Sequence, residues 1–263
     1  MTAVAAPVSE PILQARGVCK RFGGLLAVNG IDFDVTDGEI VGLIGPNGAG
    51  KTTFFNCLTG MEIPTAGEIR YRGRRLTGTP DRITVAGLAR TFQNIRLFPN
   101  MTVLENVLVG RHCRTKEGVL SAIGRGRKFR REERASKDRS FELLDLVGLR
   151  RSADDLARNL NYGDQRRLEI ARALATDPGL LLLDEPTAGM NAAETRSTGD
   201  LVRRIRDQGL SVVVIEHDMR FIFGLCDRVA VLVQGKKLVE GSPSEVQSDP
   251  RVIEAYLGTP TAG

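Results

Sequence analysis

The sequence predicts an α/β fold with a mostly parallel central sheet, an antiparallel β subdomain near the start of the chain and a helical subdomain at about residues 94–160. Three observations predict it. Buried apolar runs such as 39–44, 180–185 and 210–216 alternate with helical segments, which is typical of a parallel sheet. Short strands separated by glycine turns come first in the chain. A glycine-rich loop then joins the first buried run to a helix.

Composition indicates the class of protein. The 263 residues are 41% hydrophobic and 26% charged, and the net charge of +5 does not by itself demand nucleic acid. Four well-separated cysteines without a CxxC pair predict free thiols in a reducing compartment. No apolar run approaches the roughly 18 residues of a membrane-spanning helix, and residues 1–10 do not resemble a signal peptide. We therefore expect a cytoplasmic chain that needs a spanning partner if it works at a membrane.

The elements follow in order. Residues 1–11 are expected to be a flexible tail, 12–258 a single domain and 259–263 a second tail. Thr102 and Glu105 have the spacing of a helix capping box. The predicted elements are strands at 12–22, 25–29, 31–35 and 39–44, a helix at 53–60, a hairpin at 67–76, a helix at 81–87, a strand at 89–93, helices at 102–111, 125–149 and 164–176, a strand at 180–185, a helix at 191–208, a strand at 210–216, a hairpin at 227–239, and two helices after Pro243 and Pro250.

The glycine-rich loop, here called the phosphate loop (residues 45–53), is the most specific feature. Glycines let backbone N–H groups surround a phosphate chain, and the positive end of the following helix adds to that field. Lys51 can reach β- and γ-phosphates, and the Thr52 hydroxyl can ligate Mg²⁺. The competing interpretation, a glycine turn with a chance lysine, is disfavoured by the strand–loop–helix context. The residues predicted to bind nucleotide here are Gly45, Pro46, Asn47, Gly48, Ala49, Gly50, Lys51, Thr52 and Thr53.

Two carboxylates end the buried strand at 180–185. Asp184 can hold Mg²⁺ directly or through water, and Glu185 can face an attacking water, whereas an ordinary acidic strand end is the alternative for the pair taken alone. Gln93, at a strand end, can contact Mg²⁺ or orient water. His217, at the exit of the next buried strand, can contact a γ-phosphate. A surface amide and a structural histidine are the alternatives for these two.

Three other stretches are ambiguous from pattern alone. Phe22 can stack on adenine or be a plain edge-strand aromatic. Residues 161–165, here called the signature segment, open a helix that can bind a phosphate or can simply be capped. Between Arg111 and Arg139, here called the basic segment, eleven Lys or Arg accompany four Asp or Glu. A solvated helical face and an anionic partner, lipid or nucleic acid, both remain open for it.

Together these motifs resemble, in their order, the ATP-binding subunits of ABC transporters. The resemblance covers about residues 12–258. It is closest to the ATPases of branched-chain amino acid uptake systems, through residues 89–106, 166–172, 185–191 and 248–258. The resemblance implies a P-loop NTPase core that binds ATP and Mg²⁺.

The resemblance also implies a role for each candidate residue. Phe22 would stack on adenine, while Thr52, Gln93 and Asp184 would serve the metal. Glu185 would be the general base, with His217 at the γ-phosphate. Gln93 would also couple to the membrane partner. The residues that would contact ATP bound to the opposite subunit are Asn161, Tyr162, Gly163, Asp164 and Gln165.

The signature segment departs from the common family pattern. Asn161 stands at the usual serine, Tyr162 at a glycine and Asp164 at the usual glutamine or glutamate. Asn161 can still donate a hydrogen bond, so phosphate contact is expected to persist, although the change bears on the strength of one composite site. Asn191 replaces a more common aspartate. The branched-chain subfamily also tends to carry the changes at Tyr162 and Asn191.

The implied function is ATP hydrolysis that powers solute import. The expected partners are transmembrane permease subunits, a second ATPase chain and, indirectly, an extracytoplasmic solute-binding protein, with the chain at the cytoplasmic face of the membrane. Branched-chain amino acids are the expected solute. A DNA-repair, chromosome or ribosome-associated ATPase is the alternative. Such proteins carry coiled coils, zinc modules or two ATPase units, and this sequence has no heptads, no CxxC pair and one unit, so no nucleic acid is expected.

Overall fold

A computed structural model describes residues 11–114 and 127–257, which divide into two compact units. The first unit holds the described residues up to Thr79 and from Ile205 onward, and the second runs from Pro80 to Arg204. The predicted tails, except Pro11, and residues 115–126 of the basic segment lie outside the described residues. The single domain at 12–258 with a helical part at 94–160 stays a prediction.

The helices and strands follow the predicted order closely. Within the described ranges, no helix is both long and apolar enough to cross a membrane. In chain order the elements are β1 (Leu13–Phe22), β2 (Leu25–Val35), β3 (Ile40–Ile44), α1 (Lys51–Leu58), β4 (Ala66–Tyr71), β5 (Arg74–Arg75), α2 (Pro80–Ala86), β6 (Leu88–Arg90), α3 (Val103–Arg111), α4 (Arg127–Val147), α5 (Tyr162–Leu174), β7 (Leu180–Asp184), α6 (Ala192–Asp207), β8 (Ser211–Ile215), α7 (Met219–Leu225), β9 (Arg228–Val233), β10 (Lys236–Gly241), α8 (Pro243–Ser248) and α9 (Pro250–Leu257).

The first unit begins with an antiparallel sheet in the strand order β2-β1-β4-β5. The sequence predicts two strands at 25–29 and 31–35, but the structure has one, β2. Gly30 lies inside it with a left-handed φ of 65°. The pairing register of β1 with β2 shifts between Val18 and Lys20, opposite this glycine. A glycine bulge therefore bends one continuous strand where the pattern indicated a break.

The phosphate loop leaves a strand that is buried on both faces. β3 pairs in parallel with β8 on one side and β9 on the other, and β10 closes this edge antiparallel to β9. Every residue of β3 and β8 is buried, as expected for parallel strands. Helix α7 packs directly on β3, because a Cβ at Gly42 would lie 3.0 Å from Ile222 Cγ2 and 3.1 Å from Cys226 Sγ.

The second unit combines a short parallel strand pair with helices. β6 pairs in parallel with β7, from Leu88 beside Leu180 to Arg90 beside Leu182. The capping box at the start of α3 is confirmed: the Thr102 hydroxyl accepts from the Glu105 N–H at 3.1 Å, and the Glu105 carboxylate accepts from the Thr102 N–H at 2.7 Å. This unit carries the acidic pair and the signature segment.

The prediction of free thiols is confirmed for all four cysteines. Burial raises the pKa of the Cys57 thiol to about 11 and that of the Cys226 thiol to about 12. Both groups therefore stay protonated near neutral pH and act as small apolar side chains in the first unit.

Candidate nucleotide site

The phosphate loop has the backbone that anion binding requires. Three glycines between β3 and α1 adopt positive φ: Gly45 at 153°, Gly48 at 78° and Gly50 at 95°. Gly50 is the N-cap of α1 and offers no side-chain cap, so the helix start is suited to an external anion. The buried Lys51 Nζ donates to Gly45 O at 2.7 Å and to Pro46 O at 3.1 Å. The exposed Thr52 follows it.

The loop is supported from behind by backbone. A Cβ at Gly50 would lie 2.4 Å from Ala27 O, and one at Gly235 would lie 2.8 Å from the same carbonyl oxygen. The Gly235 N–H donates to Ala49 O at 3.0 Å. The sequence predicts only a hairpin turn at Gln234-Gly235. Its second role, as a support for the phosphate loop, has no local signal besides the glycine itself.

Replacing Gly235 with alanine is expected to lower ATP affinity about tenfold, since the shifted loop would lose the equivalent of one charge-assisted hydrogen bond. Gly73→Ala is the matched control. Gly73 also lies in a hairpin turn with a left-handed φ (72° against 78°), but a Cβ there meets nothing within 4 Å. Binding of a fluorescent ATP analogue measures both variants. Equal affinities would show that the support does not matter.

Tyr256 of α9 is a second contact that sequence reasoning missed. Burial raises the pKa of the Tyr256 phenol to about 12, and a hydrogen bond with the Gly45 backbone acts in the opposite direction. The C-terminal helix of the first unit thus reaches the first residue of the phosphate loop.

The other two predicted residues of this unit are exposed. Phe22 ends β1, and the Lys20 ammonium lies 4.9 Å from the centre of its ring. An exposed aromatic ring of this kind can stack on a base. His217 follows β8, and its backbone N–H donates to the Glu216 carboxylate at 3.0 Å.

In the second unit the acidic pair ends β7. Asp184 is buried and forms an ion pair with Arg90 at 2.6 Å, with both side chains almost fully enclosed. Glu185 adopts a left-handed φ of 49°, which is uncommon outside glycine and frequent at functional sites. The Gln93 Nε2 donates to the Glu185 Oε2 at 2.9 Å. The structure therefore brings together two predicted catalytic residues, and it supplies a partner for Asp184, Arg90, that the sequence did not suggest.

The signature segment caps its own helix. Asn161 is the N-cap of α5: its Oδ1 accepts from the Asp164 N–H at 2.9 Å, and its Nδ2 donates to Asp164 Oδ2 at 2.8 Å. Gln165 Nε2 donates to Leu160 O at 3.0 Å. Two of the three departures of the signature segment from the common family pattern, Asn161 and Asp164, therefore bind each other. This bond uses one of the two N–H donors of the Asn161 amide.

Tyr162 has a clear structural place. Its side chain is partly exposed, and its hydroxyl accepts from Arg166 NH2 at 3.0 Å. A Cβ at Gly189 would lie 3.4 Å from the Tyr162 ring, so the ring packs on the loop that follows the acidic pair. That loop ends at Asn191, whose Oδ1 accepts from the N–H groups of Ala193 and Glu194 at the start of α6.

Comparison with known proteins decides the family. A model described as "ABC transporter" matches residues 28–188, and one described as "Branched-chain amino acid ATP-binding cassette transporter" matches residues 236–262. The chain belongs to the ABC transporter ATP-binding family. As an ABC ATPase it has the predicted P-loop core with an antiparallel sheet and mostly parallel strands, and the predictions of fold, family and ATPase activity are confirmed.

Relatives of this ABC ATPase align along almost its whole length. The high-affinity branched-chain amino acid transport ATP-binding protein LivG of Salmonella typhimurium is 48% identical over 95% of this chain and 99% of its own. BraF of Pseudomonas aeruginosa, which carries the same description, is 45% identical with the same coverage.

Solved structures agree with the fold. An ABC transporter ATP-binding cassette in its ADP conformation matches with a TM-score of 0.82 and 29% identity over 95% of this chain and all of that one. A cassette solved as a dimer after hydrolysis, with ADP and Pi bound, matches with a TM-score of 0.73 and 26% identity over 88% of this chain and 98% of that one.

Proposed function

We propose that this ABC ATPase is the ATP-hydrolysing subunit of an importer for branched-chain amino acids. The observation that carries the proposal is the 48% identity to a branched-chain amino acid transport ATP-binding protein over nearly the full length of both chains. The match of residues 236–262 to a branched-chain model supports the same solute class. A nucleic-acid- or ribosome-associated role is not favoured by these relatives.

The chain's own residues fit ATP and Mg²⁺. The phosphate loop would bind the phosphates, Lys51 would contact the β- and γ-phosphates, and Phe22 would stack on adenine. Oxygen ligands suit Mg²⁺, which neutralises phosphate charge when bound and keeps several of its waters. The Thr52 hydroxyl would hold it. Asp184 would act through water, because its carboxylate already pairs with Arg90.

Among the described residues, no group of three or more His, Cys, Asp or Glu could hold a metal ion. A cation held largely by the substrate's phosphates fits this protein. Gln93, also proposed to reach the metal, donates its amide to Glu185 in the described structure.

Hydrolysis would use Glu185 as general base. Its carboxylate accepts a proton from the attacking water, the water oxygen bonds to the γ-phosphorus, and the bond from that phosphorus to the leaving ADP oxygen breaks. The hydrogen bond from Gln93 fixes the Glu185 carboxylate for this step. His217 would contact the γ-phosphate.

A second ATPase subunit would complete each site. The signature segment, Asn161 to Gln165, would contact ATP bound to the opposite subunit, and the dimeric solved relative supports such a pair. The pair would act on transmembrane permease subunits at the cytoplasmic face of the membrane, with an extracytoplasmic solute-binding protein as an indirect partner.

A pull-down tests the assembly. The tagged full chain is purified from detergent-solubilised membranes, and the co-eluting proteins are identified. Permease-like membrane proteins are the expected result. Recovery only from the soluble fraction, with nucleic acid or ribosomes attached, would contradict the transport role and leave the ATPase chemistry intact.

A further inference from the structure

A buried ion pair in α5 takes no part in the catalytic steps proposed for the nucleotide site. Arg166 and Glu169 face each other at 3.3 Å, and their side chains are only 3% and 2% exposed. Burying two charges is costly unless their hydrogen-bonding capacity is used, and such a pair often brings no net stability over apolar residues. The pair therefore calls for an explanation beyond helix stability.

The pair holds the segment that contains Gln93. Arg166 NH1 donates to Phe92 O at 2.6 Å, and its NH2 donates to Gln93 O. Glu169 Oε1 accepts from the N–H groups of Phe92 at 3.3 Å and Arg96 at 3.4 Å. Arg166 thus donates to the backbone carbonyls of this segment and Glu169 accepts from its backbone N–H groups. Together these bonds fix the backbone of the segment.

The same guanidinium reaches the signature segment. Arg166 NH2 donates to the Tyr162 hydroxyl at 3.0 Å, and the guanidinium carbon lies 5.5 Å from the Tyr162 ring centre. Gln93, whose backbone carbonyl accepts from Arg166, donates its side-chain Nε2 to Glu185 Oε2 at 2.9 Å. Consecutive hydrogen bonds therefore run from Tyr162 through Arg166 and Gln93 to Glu185, all within the second unit.

We propose that Arg166 is a positioning residue that joins the signature segment to the catalytic carboxylate. Contact of Tyr162 and its neighbours with ATP on the opposite subunit would then set the orientation of Gln93, and through it Glu185, in this chain. The inference rests on the proposed function, because it requires the signature segment and Glu185 to serve ATP hydrolysis.

Arg166→Lys is the first test. Lysine keeps the charge, but its single ammonium cannot span the two carbonyls, the Glu169 carboxylate and the Tyr162 hydroxyl as a planar guanidinium does. The full chain, with any membrane partners it retains, is expected to lose about 10²-fold in kcat, the effect of a misplaced catalytic group, with ATP affinity unchanged. Arg158→Lys is the control, because Arg158 is exposed and its guanidinium donates to the Asn100 side chain.

Tyr162→Phe keeps the test decisive if the buried substitution impairs folding. It removes one partly exposed hydroxyl and is expected to lower kcat about 10-fold, with little change in ATP affinity, through the loss of one hydrogen bond to a charged group. If the kcat of either variant falls together with ATP affinity and with the urea concentration at the midpoint of unfolding, these parallel losses would overturn the positioning role in favour of a structural one.

A double-mutant cycle with Glu185→Gln tests the route. If Arg166 acts through Glu185, Arg166→Lys should cause no further loss of residual hydrolysis in the Glu185→Gln background. Losses that multiply would overturn the inference. A wild-type chain without ATP hydrolysis would overturn the proposed function and this inference with it, whereas an active wild type with normal kcat in Arg166→Lys would overturn the inference alone.

Discussion

Replacing Glu185 with glutamine is expected to leave ATP binding intact and to slow turnover by about 10²–10⁴-fold, the usual cost of removing a general base. The amide keeps the shape of the carboxylate and an oxygen that can accept from Gln93, 2.9 Å away in the wild type. It cannot take a proton from water. The defect should therefore lower kcat and the rate of phosphate release in a single turnover. The dissociation constant for ATP should not change.

The matched control for this substitution is Glu133→Gln, an exposed glutamate in α4. The chain should be assayed with its membrane partners, since the resemblance implies that two ATPase chains form each site. Wild-type turnover in Glu185→Gln would remove Glu185 from the role of base and would direct attention to other carboxylates. A loss in both variants would show that the assay reports stability instead of chemistry.

Replacing Lys51 with alanine is expected to weaken ATP binding by about 10-fold to 100-fold, the value of one or more hydrogen bonds to charged phosphate. The wild-type ammonium is buried and spans the loop by donating to Gly45 and Pro46 carbonyls. Its removal takes away the positive charge that would face the phosphates and also the contacts with the Gly45 and Pro46 carbonyls. Equilibrium binding of ATP measures the effect.

Lys137→Ala removes the same charge from an exposed position of α4 and should leave ATP affinity unchanged. A similar loss in both variants would mean that net charge dominates binding. Unchanged affinity in Lys51→Ala would contradict the assignment of the phosphate loop itself.

Local features of the fold were predictable from the sequence. The phosphate loop is one contiguous strand–loop–helix run. Its glycines and Lys51 therefore predict it without any knowledge of contacts between distant residues. The α3 capping box is equally local. Helix α7 was not predicted: it has seven residues, and its signals are the Asp218 N-cap and the apolar residues that follow. β2 was predicted as two strands because Gly30 looks like a turn in sequence.

The side-chain network of the second unit was beyond sequence reasoning, since it joins residues far apart in the chain. Arg90 and Asp184 are 94 positions apart, Gln93 and Glu185 are 92 apart, and Arg166 and Phe92 are 74 apart. Arg166 donates to backbone carbonyls, which every residue type carries, so the sequence does not indicate its partners. The sequence pattern offers Gln93 and Glu185 as candidates and the family resemblance favours their catalytic roles, whereas their hydrogen bond is visible only in the structure.

The most direct measurement is uptake of radiolabelled leucine, isoleucine and valine by cells that lack this gene and carry either the wild type or Glu185→Gln on a plasmid. The account predicts that the wild type restores uptake and that Glu185→Gln, expressed at the same level, does not. Equal uptake in the deletion strain and in both complemented strains would contradict the claim that ATP hydrolysis by this chain powers the import of branched-chain amino acids.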